Sequence, residues 1–259
     1  MIIITDWYGR LGNNILQILN AIQYGLINNH SVISFKYLSI LSDIKINIKS
    51  DIDNNIKFSN IFFDIEKLGI DRPTAKQYRE LYFKYVKHLL NLKDIQCYDS
   101  TYVGIHIRSG DIFDIKPHMS YVQPPYVYYT EIINKYNNKI LVYEDTKNPC
   151  VNKLINSYNF NIIQSSTIEN DLNLLLHCEN IIIGFGSFGL LIYIMSEHLK
   201  NLYIPKYYYE QKNFDPHVNP SDWGNDINII PIDLPNYLKP GEWQNTKEQQ
   251  ATMLNYSFQ

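Results

Sequence analysis

The decapeptide Tyr102–Asp111 carries the residues best suited to chemistry in this 259-residue chain. Tyr102–Ile107 is rich in β-branched and aromatic residues, which predicts a buried strand. His106 and Arg108 are two residues apart and therefore share one face of that strand. Ser109-Gly110-Asp111 supplies turn-forming residues that end it. A permanently charged guanidinium at the end of a buried strand requires an anion beside it.

Two kinds of anion would satisfy Arg108. One is a ligand, because open α/β sheets bind ligands outside the carboxyl ends of their strands. The other is a structural carboxylate such as Asp111, in which case His106 is an ordinary core histidine. Spacing alone leaves both alternatives open.

Three segments resemble the fucosyltransferase superfamily, which includes the α-1,2-, α-1,6- and protein O-fucosyltransferases. The stretch around Arg108 resembles the His-x-Arg-Arg-Gly-Asp motif of that superfamily. Residues 9–14 resemble its Gly-Arg-Leu-Gly-Asn-Gln opening. Residues 171–184 resemble its Asp-Leu-x-Leu-Met-x-x-Cys-x-x-Ile-Ile stretch, and Ser187-Phe188 stands where it carries Ser-Phe-Ser. The three segments occur in the same order as in those enzymes.

The resemblance implies an α/β, GT-B-like fold, in which two Rossmann-like domains with parallel sheets enclose a cleft. It implies an inverting, metal-independent glycosyltransferase that transfers a deoxysugar to a glycan acceptor. The sugar that the resemblance favours most is L-fucose, donated by GDP-fucose. No cofactor is expected beside the nucleotide-sugar donor. The alternatives are another nucleotide sugar, such as a rhamnose donor, or a non-catalytic protein that binds glycans or nucleotides.

The resemblance also suggests roles for individual residues. Arg108 would hold the β-phosphate of GDP and neutralise charge on the departing diphosphate, and His106 would hydrogen-bond the donor nearby. Asn13 would lie close to the donor phosphates and the acceptor, and Asp145 would accept from guanine N–H groups. For Asp145 a solvated loop acid is the competing interpretation. The other expected donor-binding residues are Gly9, Arg10, Gly12, Gly186, Ser187 and Phe188.

The general base is not evident from the sequence. An inverting transfer needs a base that deprotonates the acceptor hydroxyl. Some relatives carry a Glu where this chain has Lys116, and Ser109 stands where the superfamily often has a second Arg. The carboxylates near predicted strand ends are Asp6, Asp111 and Asp114, and the choice among them stays open.

Residues 184–189 match the pattern G-x-G-x-x-G. A dinucleotide-binding enzyme would place an acidic residue at the end of the next strand, but here Leu202–Ile204 is followed by Pro205-Lys206. We therefore do not predict a dehydrogenase. Glycines at this position still let the backbone approach a pyrophosphate at a helix N-terminus. A tight turn without a ligand is the alternative, and the superfamily usually has hydroxyl residues where Gly184 and Gly186 stand.

Alternating strands and helices predict parallel sheets covered on both faces. We expect an acceptor-side domain over residues 1–98 and a donor domain over 99–259, whose closing helix, 247–256, would cross back to the first domain. Capping boxes are predicted at Ser166/Glu169 and at Thr246/Gln249. The expected strands are 2–5, 31–35, 102–108, 139–143, 161–164, 181–183 and 202–204, and the other helices are 13–27, 74–91, 125–137, 151–158, 167–178 and 190–199.

Composition excludes several classes of protein. The net charge is −3, so a nucleic-acid partner is not expected. Three scattered cysteines argue against a disulfide framework or a zinc site and fit a reducing compartment. No apolar run approaches a membrane span. Eukaryotic members of the resembled superfamily usually carry a Golgi anchor or a secretory signal, so the resemblance leads us to expect a cytoplasmic enzyme of bacterial or viral type. Asp51-Ile52-Asp53 has the spacing of a metal motif but is expected to be solvated.

Overall fold

A computed structural model gives the structure of the chain and describes residues 1–30, 32–48, 56–58, 60–93, 95–207 and 226–258. The chain forms two compact units. The first comprises Met1–Lys93 and Leu190–Met195, and the second comprises Asp94–Gly189 and most of the later chain. Each unit contains one sheet. Asp51 and Asp53 lie outside the described residues.

The first unit is built on a four-stranded sheet in the order β3-β2-β1-β4. Both β2 and β4 pair with β1 in parallel, whereas β3 is antiparallel to β2. The prediction of a parallel sheet is therefore wrong for this edge strand. Residues 36–44, which join β2 to β3, are fewer than the dozen or so that a parallel crossover needs. The strands are β1 (Ile2–Ile4), β2 (Val32–Phe35), β3 (Lys45–Asn47) and β4 (Ile56–Phe58).

The helical stretches of the first unit differ in regularity. Helix α1 (Leu11–Ile27) is a regular α-helix, and a 3-10 segment spans Asn60–Leu68. Helix α2 (Ala75–Leu81) starts at a capping box formed by Thr74 and Gln77. The predicted helix over 74–91 then changes its winding, because a π-helical turn and a 3-10 turn carry the chain on to Leu89.

The second unit is built on a six-stranded sheet in which every described pair of neighbouring strands is parallel. Its order is β7-β6-β5-β8-β9-β10, which is the strand order of a Rossmann fold. The strands are β5 (Tyr102–Ile107), β6 (Asn138–Tyr143), β7 (Ile162–Gln164), β8 (Asn180–Ile183), β9 (Asn201–Pro205) and β10 (Asn228–Ile232). The helices are α3 (Tyr126–Ile133), α4 (Pro149–Ser157), α5 (Ile168–Leu176) and α7 (Lys247–Asn255), together with the start of α6 (Ser187–Met195), whose residues Leu190–Met195 belong to the first unit.

The two Rossmann-like units that a GT-B-like fold requires are thus both present, and the predicted fold class is confirmed. Strands β3, β4 and β10 were not predicted. Strand β10 contains Pro231, and proline is tolerated in a sheet mainly at an edge, which is where β10 lies. No helix in the described parts of the chain has the length and apolar character needed to cross a bilayer.

The N-terminal cap of α5 is one residue later than predicted. Thr167 accepts the hydrogen bond from the backbone of Asn170. Ser166 instead donates to the carboxylate of Asp171, at 3.0 Å. Asp171 is nearly buried, so its charge requires donors, and Ser166 is one of them.

Helix α7 belongs to the second unit, where it packs against α3 and α4. The expectation that it crosses back to the first domain stays a prediction. Thr246 caps the helix as predicted, accepting from the backbone of Gln249. The Gln249 side chain donates to the Glu242 carbonyl, so the second half of the predicted capping box is not formed.

The segment before α7 holds the loop that follows β5. Trp243 is completely buried, and its indole Nε1 donates to the Ile112 carbonyl at 2.7 Å. Asn245 donates to the Phe113 carbonyl at 2.6 Å. Gly241 donates through its backbone to the Met119 carbonyl at 3.0 Å. Residues 241–245 therefore fix both ends of a loop that begins immediately after Asp111.

We expect Trp243→Ala to lower the free energy of unfolding by about 3–5 kcal/mol, because it empties a buried indole site and leaves the Ile112 carbonyl without its donor. Urea unfolding followed by circular dichroism measures this. Phe258→Ala removes a partly exposed ring near the same end of the chain and should change stability by less than about 1 kcal/mol. Equal losses in the two variants would show that residues 241–245 do not hold the loop.

Candidate active site

Two of the recognised motifs meet at the carboxyl edge of the second sheet. Arg108 follows β5 directly, and Gly184–Gly186 follows β8. Strands β5 and β8 are hydrogen-bonded neighbours, with His106 opposite Ile183. The chain leaves β5 towards β6 and β7 on one side and reaches β9 and β10 beyond β8 on the other. This is the point of an open α/β sheet at which ligands bind.

The Arg108 guanidinium is largely buried and lies beside Asp111, Tyr121 and Gly186. Its side chain is 13% exposed, and Nη2 lies 3.2 Å from Asp111 Oδ1. The guanidinium carbon lies 4.7 Å from the centre of the Tyr121 ring. A Cβ at Gly186 would lie only 3.1 Å from Nη1, so glycine permits this close approach. The Nε atom is buried and makes no hydrogen bond to any residue that the structure describes.

Aromatic and amide contacts hold the Tyr121 ring that lies under Arg108. Tyr121 meets Phe185 edge-on at 5.4 Å and His118 at 5.1 Å between ring centres. The buried Gln123 amide donates to the Tyr121 and Phe185 carbonyls, both at 3.3 Å. Gln123 thus links the loop after β5 to the loop after β8. The sequence carried no signal for Tyr121 or Gln123, because neither belongs to a recognised motif.

His106 is a neutral imidazole stacked on an aromatic ring. Its ring centre lies 4.3 Å from that of Phe188, with an angle of 28° between the planes. Although part of the residue reaches solvent, desolvation lowers the pKa of His106 to about 3, and the positive charge of Arg108 adds to this. Phe188 lies in the first turn of α6, so His106 also contacts the loop after β8.

A hydrogen-bond network fixes the turn that follows Arg108. Ser109 is completely buried, donates to Asp145, and accepts from the Asn148 backbone at 2.9 Å. Asp145 Oδ1 also accepts from the backbone of Lys147 at 2.9 Å and of Gly110 at 3.4 Å. Partial burial acts to raise the pKa of Asp145, but these hydrogen bonds outweigh it and hold the pKa below its ordinary value.

Asn148 connects this network to Arg108 itself. Its side-chain Nδ2 donates to the Arg108 carbonyl at 3.0 Å, while its Oδ1 accepts from the Cys150 backbone and caps α4. Ser109 therefore takes a structural position where the superfamily often has a second arginine. Asp145 Oδ1 is occupied by protein donors, so a contact with guanine would have to use Oδ2.

The two candidate bases of the second unit both have cationic partners. Asp111 pairs with Arg108, and Asp114 lies 2.8 Å from Lys147 Nζ. Both carboxylates are more than half exposed. Glu144 was not a candidate in the sequence, yet its carboxylate packs against Gly110, where a Cβ would overlap it.

The remaining predicted residues lie in the first unit. Gly9 has a left-handed backbone with φ of +71°, and a Cβ there would overlap the Asn13 amide. Arg10 is the N-cap of α1, so Gly12 and Asn13 form its first turn. Asp6 is exposed and accepts from the Thr5 hydroxyl at 3.0 Å. The structure thus groups Asp6, Gly9, Arg10, Gly12 and Asn13 in one turn, and His106, Arg108, Asp111, Asp114, Asp145, Gly186, Ser187 and Phe188 at the edge of the second sheet.

The two-unit fold is of the GT-B-like class. Residues 75–218 match the model of glycosyl transferase family 11, which is more than half of the chain. The chain belongs to this family, and it is a glycosyltransferase of the fucosyltransferase superfamily.

Solved structures with similar folds are heptosyltransferases. E. coli ADP-heptose lipopolysaccharide heptosyltransferase II is 11% identical, with a TM-score of 0.45 over 97% of this chain and 96% of that one. E. coli heptosyltransferase WaaC with ADP is 9% identical, with a TM-score of 0.44 over 97% of this chain and 98% of that one. No curated protein matches the chain.

The low pKa of His106 predicts a loss of stability in mild acid. The unfolded chain takes up a proton below about pH 6.5, whereas folded His106 stays neutral until its pKa of about 3. The contribution of neutral His106 to the free energy of unfolding is therefore fully present above pH 6.5. Below that pH it declines by up to about 1.4 kcal/mol per pH unit. His106→Phe, which retains a ring for stacking, should have a flatter stability profile in urea unfolding between about pH 7 and 5. Identical slopes would contradict this.

Removing the Ser109 hydroxyl should weaken the network. Ser109→Ala removes one of the donors to Asp145 and leaves the buried Asn148 N–H without its acceptor, so we expect the free energy of unfolding in urea to fall by about 1–3 kcal/mol. The pKa of Asp145 should also rise, as followed by carboxyl-carbon NMR. Because the folded pKa lies below 3.8, the loss should be largest above about pH 4 and shrink in acid.

Thr101→Ala is the matched control for Ser109→Ala. It removes a hydroxyl that also donates to an aspartate Oδ1, that of Asp99 at 2.6 Å, but at an exposed position. Its expected cost is below about 0.5 kcal/mol. If Ser109→Ala were as stable as Thr101→Ala, the buried hydrogen bonds of Ser109 with Asp145 and Asn148 would contribute no more to stability than an exposed one.

Proposed function

We propose that this glycosyltransferase binds a GDP-sugar at the carboxyl edge of the second sheet, with GDP-fucose as the first candidate. It transfers the sugar to a glycan acceptor with inversion and without a metal ion. The observation that carries the proposal is the Arg108 guanidinium, which is held in a fixed position beside a helix N-terminus. Another GDP-deoxysugar, such as GDP-rhamnose, would satisfy the same contacts.

Arg108 has the properties of a diphosphate-binding residue. The ion pair with Asp111 is made through Nη2, and the ring of Tyr121 lies 4.7 Å from the guanidinium carbon. Nη1 lies beside the Gly186 backbone, and Nε retains an unused buried donor among the described residues. A guanidinium offers five N–H donors in a planar fork, which suits two phosphate oxygens. Neutralisation of the departing diphosphate by such a donor typically contributes about 10²–10³ in rate.

Helix α6 supports the same function from the adjacent strand. It begins at Ser187, directly after Gly186, and runs to Met195. Its first backbone N–H groups have no partner within the helix, and the helix dipole favours an anion there. Gly186 has a φ of +137° and no side chain to block the approach. Arg108 and the start of α6 therefore favour a negative group at the same point of the sheet.

The remaining steps are assigned by chemistry. Arg108 takes the part that a divalent cation plays in metal-dependent transferases, so we propose that the reaction needs none. Asp6, Asp111 and Asp114 stay candidates for the base. Asp145 would contact guanine through Oδ2. Because Cys97, Cys150 and Cys178 are all free thiols, we further propose that the enzyme works in a reducing compartment, the cytoplasm.

Calorimetry on GDP, UDP, dTDP, NAD, GDP-fucose and GDP-rhamnose tests the donor. We expect GDP and the GDP-sugars to bind more tightly than the other nucleotides. Arg108→Ala should weaken the affinity for GDP about 10- to 100-fold, because it removes charged hydrogen bonds to the diphosphate. Transfer from the sugar that binds best should continue in EDTA. Preference for UDP, dTDP or NAD would refute the GDP-sugar assignment.

Arg79→Ala is the control for the loss of a half-buried arginine. Arg79 also lies near an aromatic ring, 4.8 Å from that of Phe83, and donates to the Tyr193 carbonyl in the first unit. It should cost stability without changing the GDP affinity. If Arg108→Ala retains GDP affinity in the same way, the charge of Arg108 serves only its ion pair with Asp111.

A further inference from the structure

Aromatic side chains are exposed at the carboxyl edge of the first sheet. Trp7 and Tyr8 follow β1, and Tyr37 follows β2, which is parallel to β1, so they lie at the same end. Tyr8 is 48% exposed and Tyr37 is 72% exposed, while Trp7 is half-buried. We call Trp7, Tyr8 and Tyr37 the aromatic patch. Large exposed rings grouped at a sheet edge are typical of a binding surface.

Buried polar side chains of α1 hold the backbone of this patch. Gln17 is completely buried; its Oε1 accepts from the Tyr8 backbone at 2.7 Å, and its Nε2 donates to the Asp6 carbonyl at 3.3 Å. Asn14, also buried, donates to the Tyr8 carbonyl at 3.2 Å. Three side-chain hydrogen bonds therefore fix the turn between β1 and α1. A fixed turn lowers the entropic cost of binding a ligand.

Trp7 is held by the neighbouring strand. Its indole Nε1 donates to the Tyr37 carbonyl at 3.3 Å, and its ring lies 6.1 Å from that of Phe35. The indole N–H is therefore used within the protein, and the ring presents an apolar surface. Tyr37 is joined to the same arrangement through its backbone.

The charges around the patch favour an uncharged ligand with hydroxyl groups. Asp6 and Arg10, both exposed, carry opposite charges in the same turn. The charge of Lys67 also acts on Tyr8, and Lys67 is itself paired with Asp64 at 2.7 Å. Asp6 Oδ2 already accepts from a hydroxyl, that of Thr5, and Oδ1 accepts no bond from the described residues. Aromatic faces contact the C–H faces of a sugar ring while carboxylates accept from its hydroxyls. A neutral saccharide combines these two features.

The topology places the patch where a ligand is expected. The sheet order is β3-β2-β1-β4, so the chain leaves β1 in one direction and returns on its other side. Ligands of open α/β sheets bind outside the carboxyl end of the strand at which the order reverses. In the first unit that strand is β1, which the patch follows.

We propose that the aromatic patch, with Asp6, binds the saccharide acceptor, as a neutral glycan stacked on Trp7 and Tyr37. This inference rests on the proposed glycosyl transfer for its biological meaning. Binding of a neutral glycan to the patch does not itself require a donor.

An array of neutral oligosaccharides, followed by saturation-transfer NMR with the strongest binder, tests the proposal. Trp7→Ala and Tyr37→Ala should each weaken that glycan at least tenfold, and Tyr37→Phe should retain binding because the ring remains. Phe258→Ala, another exposed ring, should have no effect. An array without a neutral binder, or full affinity in Trp7→Ala, would overturn the proposal.

Two further measurements separate this inference from the donor assignment. The GDP affinity of each variant, measured by calorimetry, should equal that of the wild type, which also shows that the variants are folded. Loss of glycan binding in Trp7→Ala supports the patch even if GDP does not bind the wild type. Light scattering tests whether a second copy of the chain occupies the aromatic patch instead. The proposal of saccharide binding would be refuted if the wild type were a dimer, Trp7→Ala made it a monomer, and glycan binding stayed unchanged.

Discussion

The buried positive charge of Arg108 constrains the second unit. A guanidinium that is 13% exposed must meet anions or aromatic faces, and the protein supplies one of each in Asp111 and Tyr121. The guanidinium itself requires a glycine at 186, and Asp111 and Tyr121 require a fixed loop after β5. Residues 241–245 supply that fixation from the far end of the sequence. Much of the irregular structure at this edge therefore serves to hold one cation.

The network of Ser109, Asp145 and Asn148 shows how the backbone of that cation is fixed. Asn148 binds the Arg108 carbonyl and caps α4 with the same side chain. Ser109 stands where the superfamily often carries a second cation, but it is buried and joins the ends of β5 and β6. The protein thus has one positive charge, with its backbone fixed by hydrogen bonds, at a point where the superfamily often has two.

Both sheets concentrate their chemistry at the strand where the order reverses. In the second unit this is the β5–β8 pair, which combines Arg108 with the N-terminus of α6. In the first unit it is β1, which is followed by Asp6 and the aromatic patch. The charged groups at the two sheet edges differ in the same way as the ligands proposed for them. A guanidinium suits a diphosphate, whereas exposed rings with a carboxylate suit a neutral sugar.

The sequence by itself determined the α/β class, most of the strands and helices, and the motifs at Arg108 and Gly184, because periodicity and turn residues are local properties. It also led to the correct superfamily. Only the tertiary structure decided the antiparallel direction of β3, the edge strand β10 and the packing of α7. It also decided which groups surround Arg108: Tyr121, Gln123 and Asn148 lie outside every motif and reach the site only through pairing of distant strands. Local pattern cannot specify such contacts, because they depend on which strands become neighbours in the sheet.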